Sequence, residues 1–173
     1  AVKLSAEVLQ RERDHLAWVL QLNNDLAAKN TAAVTVQTNH HLCAFGEWYY
    51  SEKRKQAEVL LPSLSALLTE IEEPHRSLHA TASHIALLRQ AGDAKEASRI
   101  FLTITQEHLF ATRRILGEVR KISDEFSRAT GESMAHTTLL IGRSVVTVSL
   151  LAILIGVLFA ALLTRSIVLP LRQ

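Results

Sequence analysis

Cysteine, proline and glycine are scarce in this sequence: one Cys, three Pro and six Gly in 173 residues. A single cysteine excludes an intrachain disulfide framework. So few glycines and prolines leave little material for the turns of an all-β fold. A surplus of charge is missing too. There are 19 Lys and Arg against 17 Asp and Glu, and the two extra cations are Arg165 and Arg172 near the end, so residues 1–143 are electrically neutral. That neutrality argues against a nucleic-acid binder of the usual basic kind. The length allows one domain and an appendage. What the sequence does hold in unusual supply is histidine, eight beside the lone cysteine.

From Ser144 to Thr164 no residue is charged. At about 1.5 Å per residue, a helix of that length crosses the roughly 30 Å hydrocarbon core of a bilayer. A buried helix of a soluble protein would keep a polar stripe, and a signal peptide would stand at the other end. Residues 1–143 therefore read as a soluble module, 144–164 as a transmembrane helix and 165–173 as a tail. The tail runs Arg165-Ser-Ile-Val-Leu-Pro170-Leu-Arg-Gln173 and resembles the opening of a HAMP linker of bacterial receptors. That resemblance implies a cytoplasmic tail, a sensor module on the periplasmic side of the inner membrane, and a first membrane helix and a cytoplasmic output module outside this sequence.

The soluble part reads as helical. Residues 3–37 contain no Gly or Pro, and Leu4, Val8, Leu9, Leu16, Val19, Leu20, Leu22 and Leu26 recur at helical steps, which predicts one long amphipathic helix. The stretch His40–Glu52 breaks the period and carries Phe45, Trp48, Tyr49 and Tyr50 around Gly46. Helical patterning returns over Glu58–Ile71, with Pro62 at its start or at a kink. Glu73 as a cap and Pro74 in the first turn open a third helix to Ala91. Gly92-Asp93 stops it and caps the next, whose apolar pattern runs from Ala94 through Thr130 toward the span. The expectation is an all-α fold, an antiparallel four-helix bundle with its last helix continuing into the transmembrane helix.

The sharpest local signal is Pro74-His75-Arg76-Ser77-Leu78-His79. Two imidazoles four residues apart share one helix face and can grip one metal ion; surface or core histidines give the same spacing. Its context is Asp14-His15-Leu16-Ala17-Trp18 upstream and Leu42-Cys43-Ala44-Phe45-Gly46-Glu47-Trp48-Tyr49-Tyr50 between. In order these are HxxW, CxFGxWYY, PHxxxH and then a Gly-Asp before the last long helix. Together they resemble the chemoreceptor zinc-binding (CZB) domain over about residues 10–125. The resemblance implies a helical, dimeric bundle that binds zinc through three His and one Cys and regulates chemoreceptors or diguanylate cyclases. Carried over by position, the ligands are His15, Cys43, His75 and His79.

Three imidazoles and a thiolate complete a zinc tetrahedron and leave no position for an activated water, and HExxH is absent, so the site reads as regulatory or structural, not catalytic. Asp14 and Glu73 are candidates to hold the second nitrogen of a ligating imidazole, or are plain solvated acids. Trp18, Phe45, Trp48, Tyr49 and Tyr50 read as an apolar wall around the site or as ordinary core. His40 and His41 adjoin the cysteine but lie outside the family's ligand pattern. His84, His108 and His136 read as surface or packing residues. The expected function is a zinc-binding sensor of a membrane chemotaxis transducer, signalling zinc occupancy, or oxidation of Cys43 by a species such as hypochlorous acid, through the last helix and HAMP. The alternative is a bundle that senses a small molecule and in which the metal is only structural.

Overall fold

A computed structural model describes residues 2–28 and 33–163 of the chain. It is all-helical, with no strand among the described residues. The elements are α1 (Val2–Ala27), α2 (Ala44–Tyr49), α3 (Glu52–Leu60), α4 (Leu64–Glu70), α5 (Glu72–Gln90), α6 (Ala94–Ile100), a π-helical turn (Phe101–Thr105) and α7 (Gln106–Leu163). The chain divides into two compact units, Ala1–Ser127 and Arg128–Gln173. The tail with Pro170, Arg165 and Arg172, which carries the HAMP-like pattern, lies outside the described residues.

The first helix ends at Ala27 instead of running on to residue 37. Buried Asp25 accounts for this: its carboxylate accepts the Thr35 backbone N–H at 2.6 Å and the Thr35 hydroxyl at 3.0 Å, pinning the returning chain onto α1. Arg89 of α5 closes the other side, donating to the Asp25 carbonyl and, at 2.7 Å, to the Ala28 carbonyl. These are acceptors of the kind that a helix leaves unsatisfied in its last turn. Beyond the helix the β-branched run Val34-Thr35-Val36 is poorly suited to helix. Val34 and Val36 alternate into the core beside it, so residues 33–39 form a strap across α1 and α5.

The aromatic break holds a short helix. Cys43 is the N-cap of α2, its Sγ accepting the Gly46 N–H at 3.2 Å. Gly46 admits no side chain, because a Cβ there would stand 1.8 Å from the His40 carbonyl oxygen. The helix expected over Glu58–Ile71 is divided at Pro62 into α3 and α4, since proline has no N–H to continue the ladder. Ile71, in helical conformation, joins α4 to α5 without a side-chain cap. Glu73 therefore lies inside the helix and is not its cap, while Pro74 occupies the first turn as expected. Gly92 at φ 79° and Asp93, which accepts the Glu96 N–H at 3.0 Å, end one helix and start the next as the sequence predicts.

Two apolar clusters fill the first unit. One gathers Val8 of α1, Phe45, Trp48 and Tyr49 of α2, Leu64 and Leu68 of α4, Ile71, and Ile115, Leu116 and Val119 of α7. The other gathers Val19 and Leu22 of α1, Leu78, Ala82 and Ile85 of α5, Ala97 and Ile100 of α6, and Leu109 of α7. The helices that serve both pass from one to the other at a buried polar residue, His15 on α1 and Thr112 on α7, while His75 opens α5 between Ile71 and Leu78. A polar layer thus separates two halves of the core. In the second unit, Ile141–Leu158 of α7 has a mean hydropathy of 2.2 and none of it is buried; by length and composition it could cross a membrane.

Candidate metal centre

The polar layer brings together the four residues predicted as ligands. One nitrogen from each of His15, His75 and His79 and the Cys43 sulfur all lie within 4.8 Å of one another. His15 and His79 are fixed from behind. His15 Nδ1 is 2.7 Å from the Arg11 carbonyl oxygen, and His79 Nδ1 is 2.8 Å from the Gln37 carbonyl oxygen. A carbonyl only accepts, so each Nδ1 carries the proton and each Nε2 presents a lone pair inward. Those two Nε2 atoms are buried and have no hydrogen-bond partner. His75 Nε2 stands 3.2 Å from Cys43 Sγ.

This donor set fits zinc. Buried polar atoms without partners are costly and rare, and here two lone pairs, a third imidazole and a thiol converge on one point. Zinc bonds of about 2.0 Å to nitrogen and 2.3 Å to sulfur give a tetrahedron with edges of roughly 3.3–3.6 Å. The Cys43–His75 separation of 3.2 Å lies just under that, and the widest pair, no more than 4.8 Å apart, would close by at most about 1.5 Å.

Electrostatics favours the ligating forms of the histidines. Burial pushes all three imidazoles toward the neutral state. His75 falls to about 2, through burial and then the neighbouring His15 and His79. His79 falls to about 4 through burial, against its bond to Gln37. His15 is lowered by burial against its bond to Arg11 and the Asp14 carboxylate. Burial also raises the Cys43 thiol, while the N–H groups of Gly46 and Phe45 pull it down. A divalent cation beside it would convert the thiol to thiolate.

The groups holding the imidazoles are not the acids the sequence suggested. Asp14 accepts from Gln10 and Arg11, and Glu73 accepts from Ser77. Backbone carbonyls of Arg11 and Gln37 do that work, and a carbonyl has no residue-type signature. Of the aromatic wall, Trp18 and Phe45 reach the site. Trp18 lies 5.0 Å from the His79 ring and donates its Nε1–H to the same Gln37 carbonyl at 2.7 Å. Phe45 meets His75 edge-on at 4.8 Å. Trp48 and Tyr49 belong to the first apolar cluster, and Tyr49 donates to the Leu68 carbonyl at 2.7 Å. Tyr50 is exposed and stacks on His41 at 3.9 Å.

Among the other histidines, His40 and His41 lie beside the centre but outside the four-residue cluster. His84 is exposed and His108 half-buried, each apart from that cluster. The side chain of His136 lies outside the described residues.

Residues 15–86 match the family model described as the chemoreceptor zinc-binding domain. Neither a curated protein nor a solved structure gives a significant match to the chain. The matched stretch begins at the first ligand candidate and contains all four, and it is a domain of that family. The periplasmic placement expected from the tail is corrected by this finding: domains of this family are cytoplasmic chemoreceptor domains, and the sidedness read from the tail does not stand against it. The small-molecule alternative is not favoured beside this match and the cluster.

Proposed function

We propose that residues 15–86 bind one zinc ion through His15 Nε2, Cys43 Sγ, His75 Nε2 and His79 Nε2, and that occupancy of this centre is the signal the domain transmits. The observation that carries the reading is the pair of buried, unpartnered Nε2 atoms whose opposite nitrogens are locked onto backbone carbonyls. Bound zinc would supply the positive charge that keeps Cys43 a thiolate. The chain's own contribution is positional: α1, the N-cap of α2 and α5 each bring donors to one point, so gaining or losing the ion changes how three elements are tied.

The site is regulatory under this reading, since four protein donors fill the coordination shell. The elements α1, α3 with α4, α5, and the run from α6 into α7 are read as the four members of a bundle, and two chains as a homodimer. Buried Thr112 lies along α7 between Leu109 of one apolar cluster and Ile115 of the other, and a shift of the last helix against those clusters is how it would respond. The apolar stretch Ile141–Leu158 is read as membrane-crossing and an output module of the same chain as the receiver. Cys43 offers a second input: a hypochlorous acid molecule would oxidise its thiolate to the sulfenic acid, releasing chloride and removing one ligand.

Metal analysis of the purified chain tests the centre. One zinc per chain is expected for the wild type and far less for Cys43→Ala and His79→Ala; near-stoichiometric zinc in both variants would sink the assignment.

A further inference from the structure

The centre is enclosed. His15, His75 and His79 are at most 3% exposed, while Cys43 is half-buried. The Cys43 side is therefore the most open of the four, since Trp18 and Phe45 lie against the His79 and His75 rings. On that side stand two imidazoles that the resident centre does not use. The half-buried His40 ring lies 6.0 Å from the His75 ring and 4.3 Å from the His41 ring. His41 is exposed, stacked on Tyr50. The backbone of His40 is built into the edge of the centre: its carbonyl faces Cys43 Sγ at 3.4 Å and is the atom that makes glycine necessary at position 46. His40 thus keeps its place beside Cys43 for as long as the α2 cap is formed.

We propose that His40 and His41 form an entry site for a hydrated divalent zinc ion, which they take from solvent and pass to Cys43 and His75. The proposal rests on the zinc reading of the buried centre. Each transfer is a ligand exchange. An imidazole of the pair replaces a water on the ion, then gives way as a bond to His75 or Cys43 forms, and the Cys43 thiol proton leaves to solvent. Glu72 and Arg76, of opposite sign, both act on His40, so the patch has little net charge. Its hold on the ion comes from two imidazoles against four donors inside, which drives the ion inward. A path that speeds entry speeds exit equally, so the pair sets rates and leaves the equilibrium alone.

Zinc uptake and removal on the full chain in detergent, with a fluorescent chelator as competitor, test this. The wild type is expected to bind one zinc. In His40→Ala/His41→Ala, loading and release slow together by about tenfold, with the dissociation constant held within about threefold. His40→Gln/His41→Gln, which keeps polar bulk without imidazole, behaves alike and guards against a folding defect, and His84→Ala changes neither rate. Wild-type rates in both double variants overturn the entry site while leaving the buried centre standing. An affinity loss of about a hundredfold overturns it differently, by making His40 or His41 a ligand of the resident ion. A wild-type chain that binds no zinc overturns the buried centre and the entry site together.

Discussion

At the scale of single residues, Cys43 has two tasks that one substitution separates. Its sulfur caps α2 through the Gly46 N–H and faces His75 Nε2. Serine caps a helix at least as well but is a poor zinc donor. Cys43→Ser is therefore expected to leave metal-free stability within about 1 kcal/mol of wild type by denaturant unfolding, while zinc affinity in a chelator titration falls by at least about a hundredfold. Gly46→Ala is expected to be harsher, because the added Cβ meets backbone and not a yielding side chain. A loss of about 3 kcal/mol, at the upper end of overpacking costs, should appear as a lowered unfolding midpoint. The imidazoles predict a pH dependence. Their folded values lie below the free-histidine value, to about 2 for His75 and about 4 for His79. The unfolded chain then binds more protons, so this stability is intact above pH ~6.5 and lost as pH falls toward the folded values. Each should cost the metal-free protein about 2 kcal/mol between pH 7 and 5, measured by unfolding at each pH. That His15, Cys43, His75 and His79 come together was legible because side-chain type and order carry their chemistry. The carbonyls of Arg11 and Gln37 were not, since any residue supplies one.

At the scale of elements, the strap over residues 33–39 explains both a misread boundary and a source of precision at the site. Its absence of Gly and Pro made it look like a continuation of α1, yet Val34 and Val36 enter the core with a period of two. What turns the chain is the Asp25 carboxylate on Thr35, a side-chain contact that periodicity does not register, and the Arg89 guanidinium on the end of α1, which no local window contains. By contrast, the stop at Gly92-Asp93 was legible because both residues act through their own neighbours. Pro62 was legible as an interruption but not as a full separation of α3 from α4. Arg89→Ala should cost about 1.5–3 kcal/mol of stability. It should also weaken zinc binding, because the strap it anchors delivers the Gln37 carbonyl to His79; thermal unfolding with and without zinc reads both effects. Loss of stability with unchanged affinity would show that the strap positions nothing.

For the molecule as a whole, neutrality of residues 1–143 and the apolar run were plain in composition, whereas which side of a membrane the domain occupies was misjudged from a short tail pattern and corrected by the family match. If Ile141–Leu158 crosses a bilayer, Leu151→Arg should cost about 3 kcal/mol of insertion and shift the chain toward the soluble fraction on membrane flotation; an unshifted distribution would speak against a span. A different consequence follows from the polar layer between the two apolar clusters. Apolar contact couples each half of the core within itself, and the layer between offers mostly neutral rings with lone pairs facing one another. In the metal-free state the halves should then behave as separate cooperative units, with amide hydrogens around Leu64 and Leu68 exchanging on a different free-energy scale from those around Ala82 and Ile85. An ion in the layer would join His15 to His75 and His79 across it and merge the two scales. Zinc would in that way determine how many independent openings the domain has, and only secondarily how stable it is.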